Sequence, residues 1–349
     1  MSINPISAGG ITPTYNVSGV ASAAAPAAQS AENNAPAVPG DQISLGEESA
    51  APKKKGFFQW LKDLVKTEVE GPSEPYIDRT CRRLNEIMDK AQPGDIPDSM
   101  PKHEPKGGEP TDYYIPGEGA HSGISVPLPS EQVPTMTDVA DFHTISFRDA
   151  VDIYNQQGIA DKMSPVQKGV IKEYCGQSFM AMNGHLLDGE DNAAGTVDKA
   201  VRCAAGALEK CDVPSGIILN RCASMSELLN YCSKEDYAKF KKFADKGKME
   251  KLAKLLNEKL TGTQTDRKTF ISTSVGPKAD FLDNPKITTR LYIGEGVKGA
   301  FVSADPELIK FKGENEYLLA PNTQSTVMGV EYNPETKGLT MHVFLGEKQ

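Results

Sequence analysis

The chain has 349 residues, a formal net charge of −9 and a sequence pI of about 5.2. This acidic balance argues against DNA or RNA as a partner, because proteins that bind nucleic acids usually carry a basic face or stripe. The length allows two domains, or one domain and a tail, and no stretch reaches the apolar length of a membrane span.

Residues 1–52 are rich in Ala, Ser, Pro, Asn and Gly and contain almost no large apolar side chain. Such a segment cannot bury enough surface to offset the entropy that ordering would cost, so we expect it to be disordered. It lacks the basic and apolar regions of a secretory signal peptide. Composition alone leaves open whether it is a flexible tail or an export segment.

The next segment, residues 53–91, is predicted to be helical in two runs. In the first run Phe57, Leu61 and Val65 recur at a spacing of four and share a face with Trp60, while lysines lie at its head. An isolated helix this short is marginal in water, so it should contact another surface. The candidates are the folded domain, a secretion chaperone and an anionic membrane surface, and the two external partners are slightly favoured.

A second helical run is predicted for residues 76–91, and residues 92–137 are rich in Pro, Gly and charged residues. Of the 24 prolines, 17 lie before residue 135, which marks 92–137 as a linker and places the compact domain at 138–349.

Within 138–349 helices come first and strands follow. A Ser-Pro pair that suits a helix start opens the first long helix at Ser164. Predicted helices cover 164–182, 196–210, 224–232, 235–244 and 248–260, and predicted strands cover 269–273, 287–293, 299–303, 316–319, 326–332 and 339–345. A run of helices followed by a run of strands predicts an α+β domain with a mainly antiparallel sheet.

The six cysteines form no C-x-x-C pair, and no histidine lies at ligand spacing beside them. A zinc site needs such paired ligands, so we expect buried, reduced thiols and no metal. The cysteines are Cys81, Cys175, Cys203, Cys211, Cys222 and Cys232.

Glu314 and Glu316 flank a single residue at the start of a predicted strand, after the turn residue Gly313. Residues i and i+2 of a strand point to the same face, and like charges side by side destabilise a sheet. Two converging carboxylates can instead stabilise a developing cation and handle protons. A solvated strand edge is the plainer alternative, because carboxylates are mostly exposed.

Two further pieces precede the acidic pair. Ser272, Thr273 and Ser274 follow Phe270 and Ile271 at a strand end, and further upstream Arg221 closes the short apolar run 215–221. The order Arg, then Ser-Thr-Ser, then Glu-x-Glu resembles the arginine–serine–glutamate class of mono-ADP-ribosyltransferases, in the branch of clostridial binary toxins and bacterial effectors. The resemblance covers roughly residues 140–349.

The arginine is the least family-like of the three pieces. The family often has Tyr-Arg-Gly at this place, whereas Arg221 lies between Asn220 and Cys222. The remaining candidates for this position are Arg202, Arg267 and Arg290.

The resemblance implies a fold of two facing sheets with flanking helices and an NAD cleft between the sheets. It also implies cleavage of the nicotinamide–ribose bond of NAD. Glu316 would stabilise the oxocarbenium-like ribose, Ser272 would orient Glu316, and Arg221 would hold the NAD phosphates. The rest of the motif, Thr273 and Ser274, would also line the cofactor site.

The resemblance further implies that Glu314 grips the acceptor, with arginine favoured because the family pairs Glu at this position with arginine targets. Phe311 would lie on the turn that meets the target protein. Phe281, in the loop after Ser-Thr-Ser, could stack on nicotinamide, although a place in the core is equally open.

A disordered, Ser- and Ala-rich start in such a family looks like the export segment of a type III secreted effector, which is injected into the host cytoplasm and acts on a host protein. Two alternatives stay open. One is a relative that has lost catalysis and acts by binding a host protein, and the other is an NAD glycohydrolase in which water replaces the acceptor.

Overall fold

The computed structural model describes residues 75–101, 126–188, 195–276, 287–309 and 315–347. The predicted export segment at 1–52 and the amphipathic run at 53–69 lie outside these residues. Among the described helices, none combines the length and the apolarity that crossing a bilayer requires.

The helices of the described part occupy mainly its first half. In chain order they are α1 (Tyr76–Met88), α2 (Phe147–Gln156), α3 (Ile159–Lys162), α4 (Pro165–Glu173), a π-helical turn (Tyr174–Ser178), α5 (Phe179–Asp188), α6 (Thr196–Leu208), a 3-10 helix (Met225–Asn230), α7 (Lys234–Asp245), α8 (Met249–Leu260) and a 3-10 turn (Val302–Ala304). Ser146 and Ser164 begin α2 and α4 with reciprocal capping boxes, which satisfy backbone N–H groups that the first helical turn leaves free.

The strands of the described residues form one mixed sheet. They are β1 (Val126–Pro127), β2 (His143–Thr144), β3 (Ile217–Ala223), β4 (Thr263–Arg267), β5 (Ile271–Ser274), β6 (Ile287–Ile293), β7 (Gly299–Ala300), β8 (Glu316–Leu319), β9 (Thr323–Asn333) and β10 (Gly338–Leu345). Their order is β1-β4-β9-β10-β6-β3-β5-β8-β7, and β2 pairs with β3. Most pairings are antiparallel, as predicted, while β6–β10 and β2–β3 are parallel.

The sheet narrows between β3 and β5, where a single residue pair, Asn220 and Ser274, joins the two parts. On the β3 side six residues of β3 pair with β6, and on the β5 side four residues of β5 pair with β8. The two parts that the resemblance implied are therefore joined, between β3 and β5, by a single strand-pairing position and by side-chain hydrogen bonds around it. Arg221 and the Ser-Thr-Ser strand lie at the junction.

Alternation along the strands places side chains in separate apolar clusters. In β3, Ile217 and Leu219 join the largest cluster, which also holds residues of α8, β6 and β10, whereas Ile218 joins a small cluster with Tyr292. A third cluster packs α1, α4, α5 and α6 against Leu318 of β8. The helices thus support the strand that begins at Glu316.

The folded part begins earlier in the chain than the predicted boundary at residue 138. Leu84 of α1 is completely buried among the helices, so this helix is part of the domain. Two parts of the predicted linker are packed as well: Pro97 lies against Gly206 of α6, and strand β1 pairs with β4. Proline content did not reveal these contacts because proline is compatible with packed irregular backbone as well as with linkers.

Several elements differ from the sequence prediction, and helix α2 and strands β1 and β2, for example, were not predicted. The helix predicted for 164–182 is interrupted by the π-helical turn and continues to Asp188. The strand predicted for 299–303 is only two residues long, and β4 was not predicted. Its sequence, Thr263–Arg267, contains no apolar residue and so carries no strand pattern.

Candidate active site

The three sequence motifs meet on adjacent strands. Strand β5, which carries Ser272, lies between β3 with Arg221 and β8 with Glu316. Ser274 is in register with Glu316 on one side and with Asn220 on the other. Arg221 also donates from Nη1 to the carbonyl oxygen of Ser272 at 2.7 Å. Residues that are distant in sequence therefore share one small region at the junction of the sheet.

Glu316 is a buried carboxylate, only 5% exposed. Its backbone N–H donates to Oγ of Ser303 at 2.8 Å, and the side chains of Ser272 and Cys175 hydrogen-bond its carboxyl group. Burial raises the pKa of Glu316, and these two hydrogen bonds and the charge of Arg221 offset part of that rise. Ser272, which was predicted to orient Glu316, is thus one of the two side chains that contact the Glu316 carboxyl group.

Cys175 lies in the π-helical turn, a feature that is frequent at functional sites. The sequence predicted Cys175 only as a buried, reduced core residue, and the structure places it as a half-buried free cysteine. Its hydrogen bond to Glu316 was not foreseeable, because no spacing rule links a helix residue to a strand more than a hundred residues later.

Arg221 keeps 27% of its side chain exposed. Besides the bond to Ser272, its Nε lies 3.5 Å from Oε2 of Glu227, in the 3-10 helix that follows β3. A guanidinium has five N–H donors in a planar fork, so these contacts leave donors for a ligand. The sequence offered four arginines for this position. Among the contacts of the described residues, the contact with the Ser-Thr-Ser strand is made by Arg221.

The other three arginines have different roles. Arg267 is buried against Glu227 and is not open to a ligand. Arg202 pairs with Asp198 within α6. Arg290 lies over the ring of Tyr292, with 5.9 Å from Cζ to the ring centroid.

Glu227 was missed by the sequence reasoning. It is 3% exposed, and its Oε1 accepts from Nη1 of Arg267 at 2.5 Å. Burial alone would raise the pKa of Glu227, but the charges and hydrogen bonds of Arg267 and Arg221 lower it to about 2. Glu227 is therefore ionised at any ordinary pH.

Thr273 and Ser274 were predicted to line the cofactor site. The Thr273 hydroxyl is buried and donates to the backbone carbonyl of Tyr317 at 2.7 Å, so it fastens β5 to β8 instead of facing a ligand. Ser274 lies two residues from Ser272 and thus on the same side of the strand, and it is buried too.

Three predicted site residues lie outside the described residues. They are the proposed acceptor residue Glu314, the turn residue Phe311 and the stacking candidate Phe281. No group of three or more His, Cys, Asp or Glu side chains that could hold a metal ion occurs within the described ranges.

In this α+β domain an arginine, a serine and a buried glutamate converge from three adjacent strands. The sequence model of the ADP-ribosyltransferase exoenzyme family matches residues 152–343, which is more than half of the chain. The chain therefore belongs to the ADP-ribosyltransferase exoenzyme family. No curated protein sequence matches it significantly.

Solved structures of bacterial ADP-ribosyltransferases are similar to this chain. C3stau2 from S. aureus, solved with NAD, is 20% identical with a TM-score of 0.50, over 59% of this chain and 98% of that one, and it supports the fold. The Clostridium limosum C3 exoenzyme is 21% identical with a TM-score of 0.47, over 60% of this chain and 100% of that one. An ADP-ribosyltransferase from Clostridium botulinum, solved in a triclinic form, is 20% identical with a TM-score of 0.45, over 57% of this chain and 94% of that one.

Proposed function

We propose that this protein cleaves NAD at the nicotinamide–ribose bond and transfers ADP-ribose to a side chain of a host protein, with arginine as the favoured acceptor. The observation that carries the proposal is the buried Glu316 carboxylate, which Ser272 hydrogen-bonds on the strand next to Arg221. Family membership supports the same reaction.

The chemistry needs a fixed negative charge beside the reacting sugar. When nicotinamide leaves, it takes the bonding electrons, so the ribose carbon acquires positive charge. Glu316 would accept a hydrogen bond from a ribose hydroxyl and stabilise that charge as it develops. Because its carboxyl group is already held by two side chains, little reorganisation is needed in the transition state.

Arg221 would bind the diphosphate of NAD. A guanidinium fork matches phosphate oxygens in geometry and charge, and the part of Arg221 that stays exposed is available for this contact. Ser272 would act through Glu316 by keeping its carboxyl group in one orientation.

Glu314 is our proposed acceptor residue. An arginine guanidinium is protonated at ordinary pH, with a pKa above about 12, and is then a poor nucleophile. A second carboxylate could aim one nitrogen at the ribose carbon and take up the proton that is released. Phe311 would contact the target protein, and Phe281 could stack on nicotinamide.

We further propose that the bacterium delivers the protein into host cells by type III secretion. Residues 1–52 would serve as the export segment and 53–91 would bind a secretion chaperone or an anionic membrane surface. The composition of the first segment and the amphipathic pattern of the second support this view. Deleting 1–52 should abolish delivery from the bacterium while leaving the activity of the purified protein unchanged.

The test of function is incubation of the protein with labelled NAD and a host lysate, with nicotinamide release measured in parallel. Wild-type protein should label a host protein and release nicotinamide, and Glu316→Gln should lose both. Glu335→Gln, in the exposed β9–β10 turn, is the matched control and should retain both.

Each alternative gives a different result in this assay. A binding protein without catalysis would neither label nor release nicotinamide, and an NAD glycohydrolase would release nicotinamide without labelling. Glu314→Gln should abolish transfer but spare hydrolysis if the two carboxylates divide their roles as proposed. Labelling that persists in Glu316→Gln would refute the assigned role of Glu316.

A further inference from the structure

Arg221 is held by two contacts that constrain different parts of its guanidinium. The bond from Nη1 to the Ser272 carbonyl fixes one nitrogen at 2.7 Å. The Glu227 carboxylate lies on the Nε side at 3.5 Å. One contact alone would leave the group free to rotate about it, whereas two contacts from different directions define the plane of the fork.

Glu227 has a second ion-pair partner besides Arg221. Arg267 of β4 donates to it at 2.5 Å and also contacts Tyr231, whose hydroxyl lies 3.3 Å from Nη1 of Arg267. Glu227, Arg267 and Tyr231 are all buried. The carboxylate that faces Arg221 therefore belongs to a rigid, water-excluded cluster.

The open side of the Glu227 cluster carries the Arg221 guanidinium. Two guanidinium groups share one carboxylate, and the exposed fractions are 27% for Arg221 against 2% for Arg267 and 3% for Glu227. Glu227 makes its short contact with Arg267 and its longer contact with Arg221. Arg221 is therefore the more weakly paired of the two guanidinium groups, and it is also the exposed one.

We propose that Glu227, supported by Arg267, is a positioning residue that orients the Arg221 guanidinium toward the diphosphate of NAD. The inference rests on the proposed function, because it concerns the residue that would bind that diphosphate. Glu227 does not touch the ligand, and its effect is transmitted through Arg221 alone. The diphosphate keeps its charge when nicotinamide leaves, so the contact should be equally strong in bound NAD and in the transition state, and its loss should raise KM while kcat stays unchanged.

The test removes the buried pair together. A single change at Glu227 would leave the Arg267 charge buried without a counterion and could unfold the protein. The double variant Glu227→Leu/Arg267→Met replaces both charges by apolar groups, an exchange that proteins often tolerate. The matched control is Asp198→Asn/Arg202→Met, which removes a carboxylate–guanidinium contact within α6.

The double variant should fold, with a cooperative thermal transition, and its KM for NAD should rise by about tenfold or more, as expected for a charge-assisted contact. Its kcat for nicotinamide release should change little, and the control should match wild type in both constants. Adding Arg221→Met to the double variant should raise KM no further than Arg221→Met does alone, because Glu227 acts only through Arg221.

An unchanged KM in a folded double variant would overturn the inference, and so would losses that multiply when Arg221→Met is added. Both results leave the proposed function intact, because wild type still turns over NAD. A wild-type protein that neither binds NAD nor releases nicotinamide would overturn the proposed function and this inference together. If the double variant does not fold, Glu227→Asp, which keeps the charge but shortens the reach, should show the same selective rise in KM, and a wild-type KM there would overturn the inference.

Discussion

Protonation of Glu227 at low pH should lower the free energy of unfolding of this protein. The pKa of this carboxyl group is about 2 in the folded protein against an ordinary value of 4.5. A lowered pKa in the folded state means that the stabilisation is complete above pH 4.5 and is lost as the pH falls toward 2. Stability should therefore fall with pH in this window.

The size of the effect follows from the two pKa values. A difference of one between folded and unfolded pKa corresponds to about 1.4 kcal/mol, so Glu227 should contribute roughly 3 kcal/mol to the free energy of unfolding at neutral pH. By pH 3 about 2 kcal/mol of this should be gone, because the unfolded chain binds the proton well before the folded one does.

Urea unfolding of wild type and of Glu227→Leu/Arg267→Met at pH 7, 5 and 3 measures this contribution. Other carboxyl groups titrate in both proteins, so the difference between them isolates the Glu227 cluster. The stability of wild type relative to the variant should decline by about 2 kcal/mol between pH 7 and pH 3. A difference that does not change with pH would refute the assigned ionisation of Glu227.

Three further outcomes are expected. Glu316→Gln should lower nicotinamide release by on the order of hundreds-fold without lowering the melting temperature at neutral pH. Burial raises the pKa of this carboxyl group, so its ionised form costs stability above the ordinary pKa. A parallel loss of stability in the variant would argue for a structural role. Cys175→Ala should raise the pKa of Glu316 by removing a hydrogen bond that lowers it, so the acid limb of the rate–pH profile should move to higher pH, and an unmoved limb would contradict the contact. Gly299→Ala would bring a methyl group to 2.6 Å from the Leu318 carbonyl oxygen and should lower the free energy of unfolding in urea by about 1–3 kcal/mol. Gly329→Ala, where the added methyl group would lie 3.3 Å from Oδ1 of Asn257, should lower it less. Equal losses of stability in the two variants would contradict this packing.

The α+β class and most element positions were predictable because local signals carry them. The Ser164-Pro165 pair begins α4 as predicted, and β6 extends over Ile287–Ile293 with the predicted bounds. The order of Arg221, Ser272 and Glu316 along the chain predicted the ADP-ribosyltransferase family, to which the chain belongs by its match to the family model, and these positions lie on adjacent strands.

Other features were not predictable because their causes are distant in sequence. β4 is a polar strand that exists because β9 supplies hydrogen-bond partners along its length. Glu227 gains its role from Arg267, 40 residues away, and Cys175 contacts Glu316 on a strand that comes much later in the chain. A charged residue that is paired through tertiary contacts has the same local sequence signature as a solvent-exposed one.

A crystal structure with bound NAD tests the central claim most directly. We predict a hydroxyl of the nicotinamide ribose within hydrogen-bond distance of the Glu316 carboxylate and the diphosphate on the Arg221 guanidinium, with the Ser272 contact retained. NAD bound at another surface, with Glu316 still enclosed by Ser272 and Cys175, would contradict the assigned site.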